Sequence, residues 1–232
     1  LLIAFTIIYL LPIYIMVTNS LKTLPEIQQR TYLAFPAVPQ IQNYVSALFG
    51  SRDFLIPMRK PIINSTIITL VVTALAAFFG GLGGYYLARN RSPFARVIFV
   101  LVGIALYLPY QAVIIPLTTI TARSGLANSH LGMILSYLII NLPLSSVLMG
   151  TFFLGIPREL EEAAEVDGAN KVQIFFKVVT PISLPAYASV AIILFTQVWN
   201  EFFIALTLST PKTQTAQVAM AMTQGSTISP YN

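Results

Sequence analysis

The chain has 232 residues, 56% of them hydrophobic and 9% charged, with a net charge of +5 and no cysteine. A soluble globular domain carries about 25% charged residues. At a mean hydropathy of +0.77, this chain cannot cover an ordinary water-facing surface, and it reads as an all-α polytopic membrane protein. The missing cysteines exclude disulfides and thiolate metal sites. The basic balance comes with no basic run or basic–aromatic interleaving, so it reads as loop charge and not as a nucleic-acid surface.

In chain order, the first apolar span is expected at 1–19, interrupted by Pro12. A signal peptide is a poor reading of it, because no basic n-region precedes and no small-x-small cleavage pattern follows. The chain starts inside this run at Leu1 and stops at "ISPYN", so missing sequence is expected at both ends. Residues 20–61, with prolines at 25, 36, 39, 57 and 61, are too polar to insert and too proline-rich for one long helix. A second span is expected at 62–88. Its "GGLGG" places Gly80 and Gly84 in a G-x-x-x-G relation that permits close helix packing in lipid.

A basic turn follows, with Arg89, Arg91 and Arg96, then spans at 97–119 and 131–154. Pro109 and Pro143 fall inside these spans, where each removes a backbone hydrogen bond and can kink its helix. The single histidine, His130, sits at a loop–helix junction, which argues against a histidine-based metal site. Asn141 lies near mid-span and needs a hydrogen-bond partner there. It reads either as glue between helices or as part of a solute path. A fifth span is expected at 182–208, followed by a polar tail.

Between the fourth and fifth spans lies a charged stretch, 157–181, containing "EEAAEVDGANKVQIFFKVVTP". Pro157 suits a first helical turn, and Glu159, Glu161 and Glu162 suit the positive end of a helix dipole. Gly168 suits the left-handed residue that ends a helix. A second helix is expected from Asn170 to about Val178, with Pro181 stopping it. Leu160, Ala163, Ala164 and Val166 give the first helix a small apolar patch. That patch fits either an insert for a groove on another protein or a solvated connecting loop.

The motif in this stretch resembles the EAA loop of binding-protein-dependent ABC importer permeases, which reads E-A-A, three residues, G, nine residues, then I-x-L-P. Glu162, Ala163, Ala164, Gly168 and Pro181 match it, with Asp167 in the same turn; Val178 stands for Ile and Thr180 for Leu. The flanking "GLANSHLGMILSYLIINLPLSSVLMGTFFLGIPRELEEAAEVDGA" and "VWNEFFIALTL" are similar to the carbohydrate branch, in the manner of the second permease of maltose-type systems. The likeness covers about residues 1–208. It implies a type I importer transmembrane domain of six helices, five of them counted here, within a single permease domain at 1–232.

The resemblance further implies several partners: a second permease subunit, cytoplasmic ATPase subunits, an extracytoplasmic solute-binding protein, a sugar-like solute and membrane lipid. No cofactor is implied. In the family the EAA loop docks on the ATPase, so Glu162, Ala163, Ala164, Asp167, Gly168 and Pro181 become the expected coupling residues. Glu201 is the one acidic residue inside an expected span, and an ionisable group there is a functional candidate. With Trp199 and Asn200 it offers the polar groups and aromatic face that a sugar path needs. The other reading is a buried glutamate bonded to a neighbouring helix.

Arginine density places the 89–96 turn and the 157–180 stretch in the cytoplasm. Lys22, Arg30, Arg52, Arg59, Lys60, Arg123 and Lys212 then lie on the far side. No G-x-x-x-x-G-K-[ST], H-E-x-x-H or G-x-S-x-G occurs, so ATP hydrolysis is expected in another subunit. An ion-gradient-driven secondary transporter or channel is the alternative function. It would call for more membrane carboxylates and repeated halves. A membrane-embedded enzyme lacks a catalytic cluster.

Overall fold

The computed structural model describes residues 2–29, 31–51 and 56–227. Regular structure among them is entirely helical. Arg30, Arg52 and the closing 228–232 lie outside the described residues. The chain divides into two compact units, Leu1–Arg59 with Thr223–Asn232, and Lys60–Met222.

The first unit begins with α1 (Leu2–Ser20), which runs through Pro12 and is apolar and exposed almost all round, as a helix solvated by lipid would be. The polar stretch after it is held by side chains bonding to backbone. Lys22, 3% exposed, donates from Nζ to Asn19 Oδ1 at 2.9 Å and to the Thr31 carbonyl at 2.5 Å. Asn43 Nδ2 reaches the carbonyls of Ser20 and Lys22, both at 3.0 Å. Thr23 opens α2 (Leu24–Gln28) in a capping box with Glu26. The backbone N–H and hydroxyl of Thr23, with the N–H of Ala37, hold the Glu26 carboxyl below its usual range. A further helix, α3 (Gln42–Phe49), follows.

The second unit is built on α4 (Arg59–Arg89) and α7 (His130–Leu154), which among the described residues are the two helices long and apolar enough to cross a membrane. α4 has 31 residues; at 1.5 Å per residue it is about 46 Å long, more than the roughly 30 Å hydrocarbon core. Each helix buries a stripe four residues apart: Asn64, Ile68, Val72, Ala76, Gly80 and Gly84 on α4, and Met133, Tyr137, Asn141, Ser145, Met149 and Phe153 on α7. Spacing of four lays side chains in one ridge, and two such ridges interlock. The glycines of α4 make the close approach possible. A Cβ on Gly80 would strike Ser145, and one on Gly84 would lie 2.6 Å from both Gly150 N and the Ser146 carbonyl. Ser145 Oγ, at this contact, donates to the Ala76 carbonyl at 2.7 Å.

The third expected span is not one straight helix. α5 (Pro93–Ala105) is followed by a 3₁₀ turn at Tyr110–Val113 and by α6 (Ile114–Arg123), and the two arms meet at 101°. Pro109 is the cause: it has no N–H to continue the ladder and holds φ −64°, ψ 114°. Pro143, by contrast, sits inside an unbroken α7. Two more corrections fall around the charged stretch. Pro157 lies one residue before the N-cap Arg158, outside α8 (Glu159–Val166). Pro181 does not stop the next helix. That helix starts as α9 (Lys171–Ile174), widens into a π turn at Phe175–Val179, and continues as α10 (Thr180–Ile182). The wider turn gives the proline ring room where a straight ladder would clash.

After a 76° bend, α11 (Leu184–Asn200) follows. The fifth expected span then breaks at Glu201, and α12 (Phe203–Leu208) and α13 (Ala216–Thr227) follow. The unit has two buried clusters. One joins Ala76, Met149, Phe153, Phe175, Val179 and Leu194, and the other Ile68, Met133, Tyr137, Val198 and Ile204.

Candidate functional site

The stretch 157–170 forms a short projecting helix on a fastened base. α8 ends at Val166, and Gly168 follows at φ +84°. The Gly168 N–H bonds the Glu165 carbonyl at 3.0 Å and the Ala169 N–H bonds the Ala164 carbonyl at 2.9 Å, the paired closure of a Schellman end. Asn170 then opens α9 through a reciprocal cap with Gln173, both bonds 2.9 Å. The turn therefore depends on a left-handed residue, yet nothing lies within 4 Å of where a Cβ on Gly168 would stand. Gly168→Val is accordingly expected to loosen the turn by about 1 kcal/mol through backbone strain alone. Gly168→Asn, which tolerates this region, should behave close to wild type. Protease sensitivity of the loop in purified protein, read beside uptake, checks both.

One face of α8 is anchored and the other is free. Glu161 turns inward: Arg89, the last residue of α4, donates from Nε to Glu161 Oε1 at 2.6 Å, and Tyr85 OH donates to Oε2 at 2.7 Å. Arg89 also reaches the Ile156 carbonyl at 3.0 Å, and the ion-paired side chains are only 13% and 14% exposed. Ala164 packs inward against the cluster around Phe153 and Phe175, so the apolar patch read from sequence is split. Ala163, Glu162 and Asp167 face outward, with Val166 at 89% exposure. Pro181 is exposed at the far end of the stretch.

Glu201 ends α11 and caps α12. Its carboxylate accepts from the N–H groups of Ile204, at 2.9 and 3.1 Å, and Ala205, at 3.2 Å, and from Tyr137 OH at 2.7 Å. A helix start exposes N–H donors that hydrocarbon cannot satisfy, and Glu201 supplies the acceptor where the span breaks. Asn141, 7% exposed, donates to the Tyr137 carbonyl of its own helix at 2.8 Å. Asn200 is exposed and bonds the Thr196 carbonyl at 2.8 Å, and half-buried Trp199 stacks on Phe195 with ring centres 5.8 Å apart.

A third arrangement lies at the other end of α4. Asn64 Nδ2 donates to the carbonyls of Lys212 at 3.2 Å and Gln214 at 3.0 Å, and Ser65 Oγ accepts from Ala216 N–H at 2.8 Å. With its amide nitrogen so engaged, Asn64 presents Oδ1 to His130 Nε2 at 3.0 Å, so the histidine is the donor. These partners lie 66 to 151 residues apart in the chain, and no local pattern announces them. The inward turn of Glu161 had a fainter signal: it shares a helix face with Ala164, three residues on.

Residues 80–232 match the family described as the binding-protein-dependent transport system inner membrane component. The glucose import system permease protein GlcU of Saccharolobus solfataricus is 34% identical, over 98% of this chain and 79% of its own. The trehalose transport system permease protein SugB of Mycobacterium tuberculosis is 33% identical, over 94% and 77%. In fold, the chain is similar to a chain of a bacterial ABC transporter involved in the import of the acidic polysaccharide alginate. The TM-score is 0.79 at 23% identity, covering 100% of this chain and 78% of that one. The chain therefore belongs to the binding-protein-dependent transport system inner membrane components, as a multi-pass inner-membrane permease subunit of an ABC importer whose ATPase and binding protein are separate chains.

Proposed function

We propose that this permease forms half of the path for a sugar or similar solute, and that ATP-driven motion enters it through α8. The observation that carries the reading is the two-faced α8, with Glu161 fastened to Arg89 and Tyr85 on one side and Glu162, Ala163 and Val166 free on the other. An apolar side chain as exposed as Val166, on a helix rich in glutamate, suits a groove on a partner. The ATPase subunit is that partner, and Glu162, Ala163, Val166 and Asp167 are the contact. Gly168 shapes the turn behind it, and Ala164 and Pro181 belong to its base. A second permease completes the path, and the loop lies in the cytoplasm.

The sugar class is supported by the names of the glucose and trehalose permeases among its relatives. Asn200 and Trp199 face the solute, with Asn141 and Glu201 holding the walls. Asn200 is exposed and the Phe195–Trp199 stack offers a flat aromatic surface beside it.

Ala163→Arg puts a long cation where the groove expects a methyl group, at a cost of a few kcal/mol in overpacking and desolvation. In proteoliposomes holding the full assembly, with ATP inside and no ion gradient, the expected result is uptake down at least about tenfold. The ATPase should separate on purification while the permease still reaches the membrane. Uptake that persists without the ATPase and follows a proton or sodium gradient would overturn the proposal.

A further inference from the structure

We infer that the turn between α4 and α5 carries a binding site for an anionic phospholipid, with one acyl chain in a cleft beside the helices and the phosphate at Arg96. The cleft, about 270 Å³, opens among the last turn of α4, the first turns of α5 and the end of α7. Leu87, Phe99, Val100 and Leu154 line it, and its polar side chains are Asn90 and Arg96. The chemistry is graded along one helix face. Arg96 stands three and four residues before Phe99 and Val100, so a cation sits one turn from hydrocarbon on the same side.

The charge there is unspent. Among the described residues Arg89 forms an ion pair with Glu161, while the exposed Arg91 and Arg96 form none. Ser92 and Asn90 hold the turn that presents them: Asn90 Oδ1 accepts from Ser92 N–H at 2.9 Å, and Ser92 Oγ from Ala95 N–H at 3.1 Å. The adjoining surface of α5 is apolar, with Phe94, Val97, Leu101 and Ile104 exposed. An apolar slot within such a surface, closed at one end by Arg96, complements an acyl chain ending in a negative headgroup. A zwitterionic lipid brings its own ammonium to its phosphate, so a headgroup with net negative charge answers Arg96 better. The inference rests on the proposed cytoplasmic placement of this turn only for the leaflet concerned; the site itself does not depend on the transport reading.

The test is native mass spectrometry of the whole transporter, extracted from membranes and re-equilibrated with phosphatidylglycerol and phosphatidylethanolamine in equal amounts. Wild type is expected to retain phosphatidylglycerol preferentially. Arg96→Gln should cut that preference about fivefold, the effect of one cation near a lipid surface. Val100→Trp, which fills the cleft from an exposed position, should reduce retention of both lipids. Equal retention by wild type and both variants would overturn the inference. So would release of the second permease by Val100→Trp with lipid retention unchanged, which would make the cleft a subunit contact. Uptake need not be measured, so failure of the transport reading cannot be mistaken for failure of this one.

Discussion

Arg89→Ala is expected to separate ATP hydrolysis from uptake. The substitution removes the hydrogen bond and ion pair to Glu161 and the bond to the Ile156 carbonyl, and leaves a largely buried carboxylate with only Tyr85 as partner. Breaking one side of a buried pair costs about 3–5 kcal/mol. Residual exposure of 13% and 14% lowers that to about 2–3 kcal/mol here. The outward face of α8 is untouched, so the ATPase should still bind and turn over. Its movement would then shift a loop no longer fastened to α4. In proteoliposomes, uptake per ATP hydrolysed is expected to fall at least about tenfold. Glu161→Gln, which can still bond both partners, should lose far less, and Arg89→Glu with Glu161→Arg should recover part of the loss. Normal uptake per ATP in Arg89→Ala would show that the loop is held by its apolar base alone.

The second large effect is structural. At Gly84 a Cβ would meet backbone, Gly150 N and the Ser146 carbonyl, both 2.6 Å away, and neither can swing aside. Gly84→Val must push α4 and α7 apart along their shared ridge. Overpacking ordinarily costs about 1–3 kcal/mol, and a clash with backbone belongs at or beyond the top of that range. Gly83→Ala meets the rotatable Ser146 Oγ at 3.2 Å, and Gly103→Ala meets nothing within 4 Å. The expected order of thermal stability in detergent is therefore wild type and Gly103→Ala together, then Gly83→Ala, then Gly84→Val, which should aggregate on extraction. A Gly84→Val protein as stable as wild type would mean that the two helices do not pack this closely.

What could be read from sequence follows from what hydropathy and spacing measure. α4 and α7 stood out because both are long apolar runs, and the Gly168 turn because few other residues tolerate its backbone. The breaks were hidden for the same reason. Residues 97–119 are apolar on both sides of Pro109, so an average over the window passes through a 101° bend unchanged. Glu201 looked like a charge stranded in lipid because the sequence does not say that a helix ends there and another begins, and both N–H groups it accepts from belong to the new helix. Spacing could name Glu161 and Glu162 as neighbours, but only the position of Arg89 decides which of them turns inward. The loop at 212–216 meets Asn64 and Ser65 through backbone atoms, which carry no residue-specific signal at all.

The two ends of α4 have a joint mechanical meaning. At one end Arg89 and Tyr85 grip the 156–161 segment; at the other, Asn64 and Ser65 grip the segment from Lys212 to Ala216. Between them runs a single uninterrupted helix, a rod whose length is set by its own hydrogen-bond ladder. A displacement of the 156–161 segment must either break those bonds or carry the rod with it, and with the rod the segment at the opposite face. α7 beside it is also unbroken, whereas the paths on either side of 106–109, Ser183 and Glu201 are jointed there. Stiffness and compliance are thus assigned to different parts of the same unit. On the proposed coupling through α8, α4 is the part that carries a stroke across the bilayer, and the jointed paths supply the give that lets the rest of the wall rearrange.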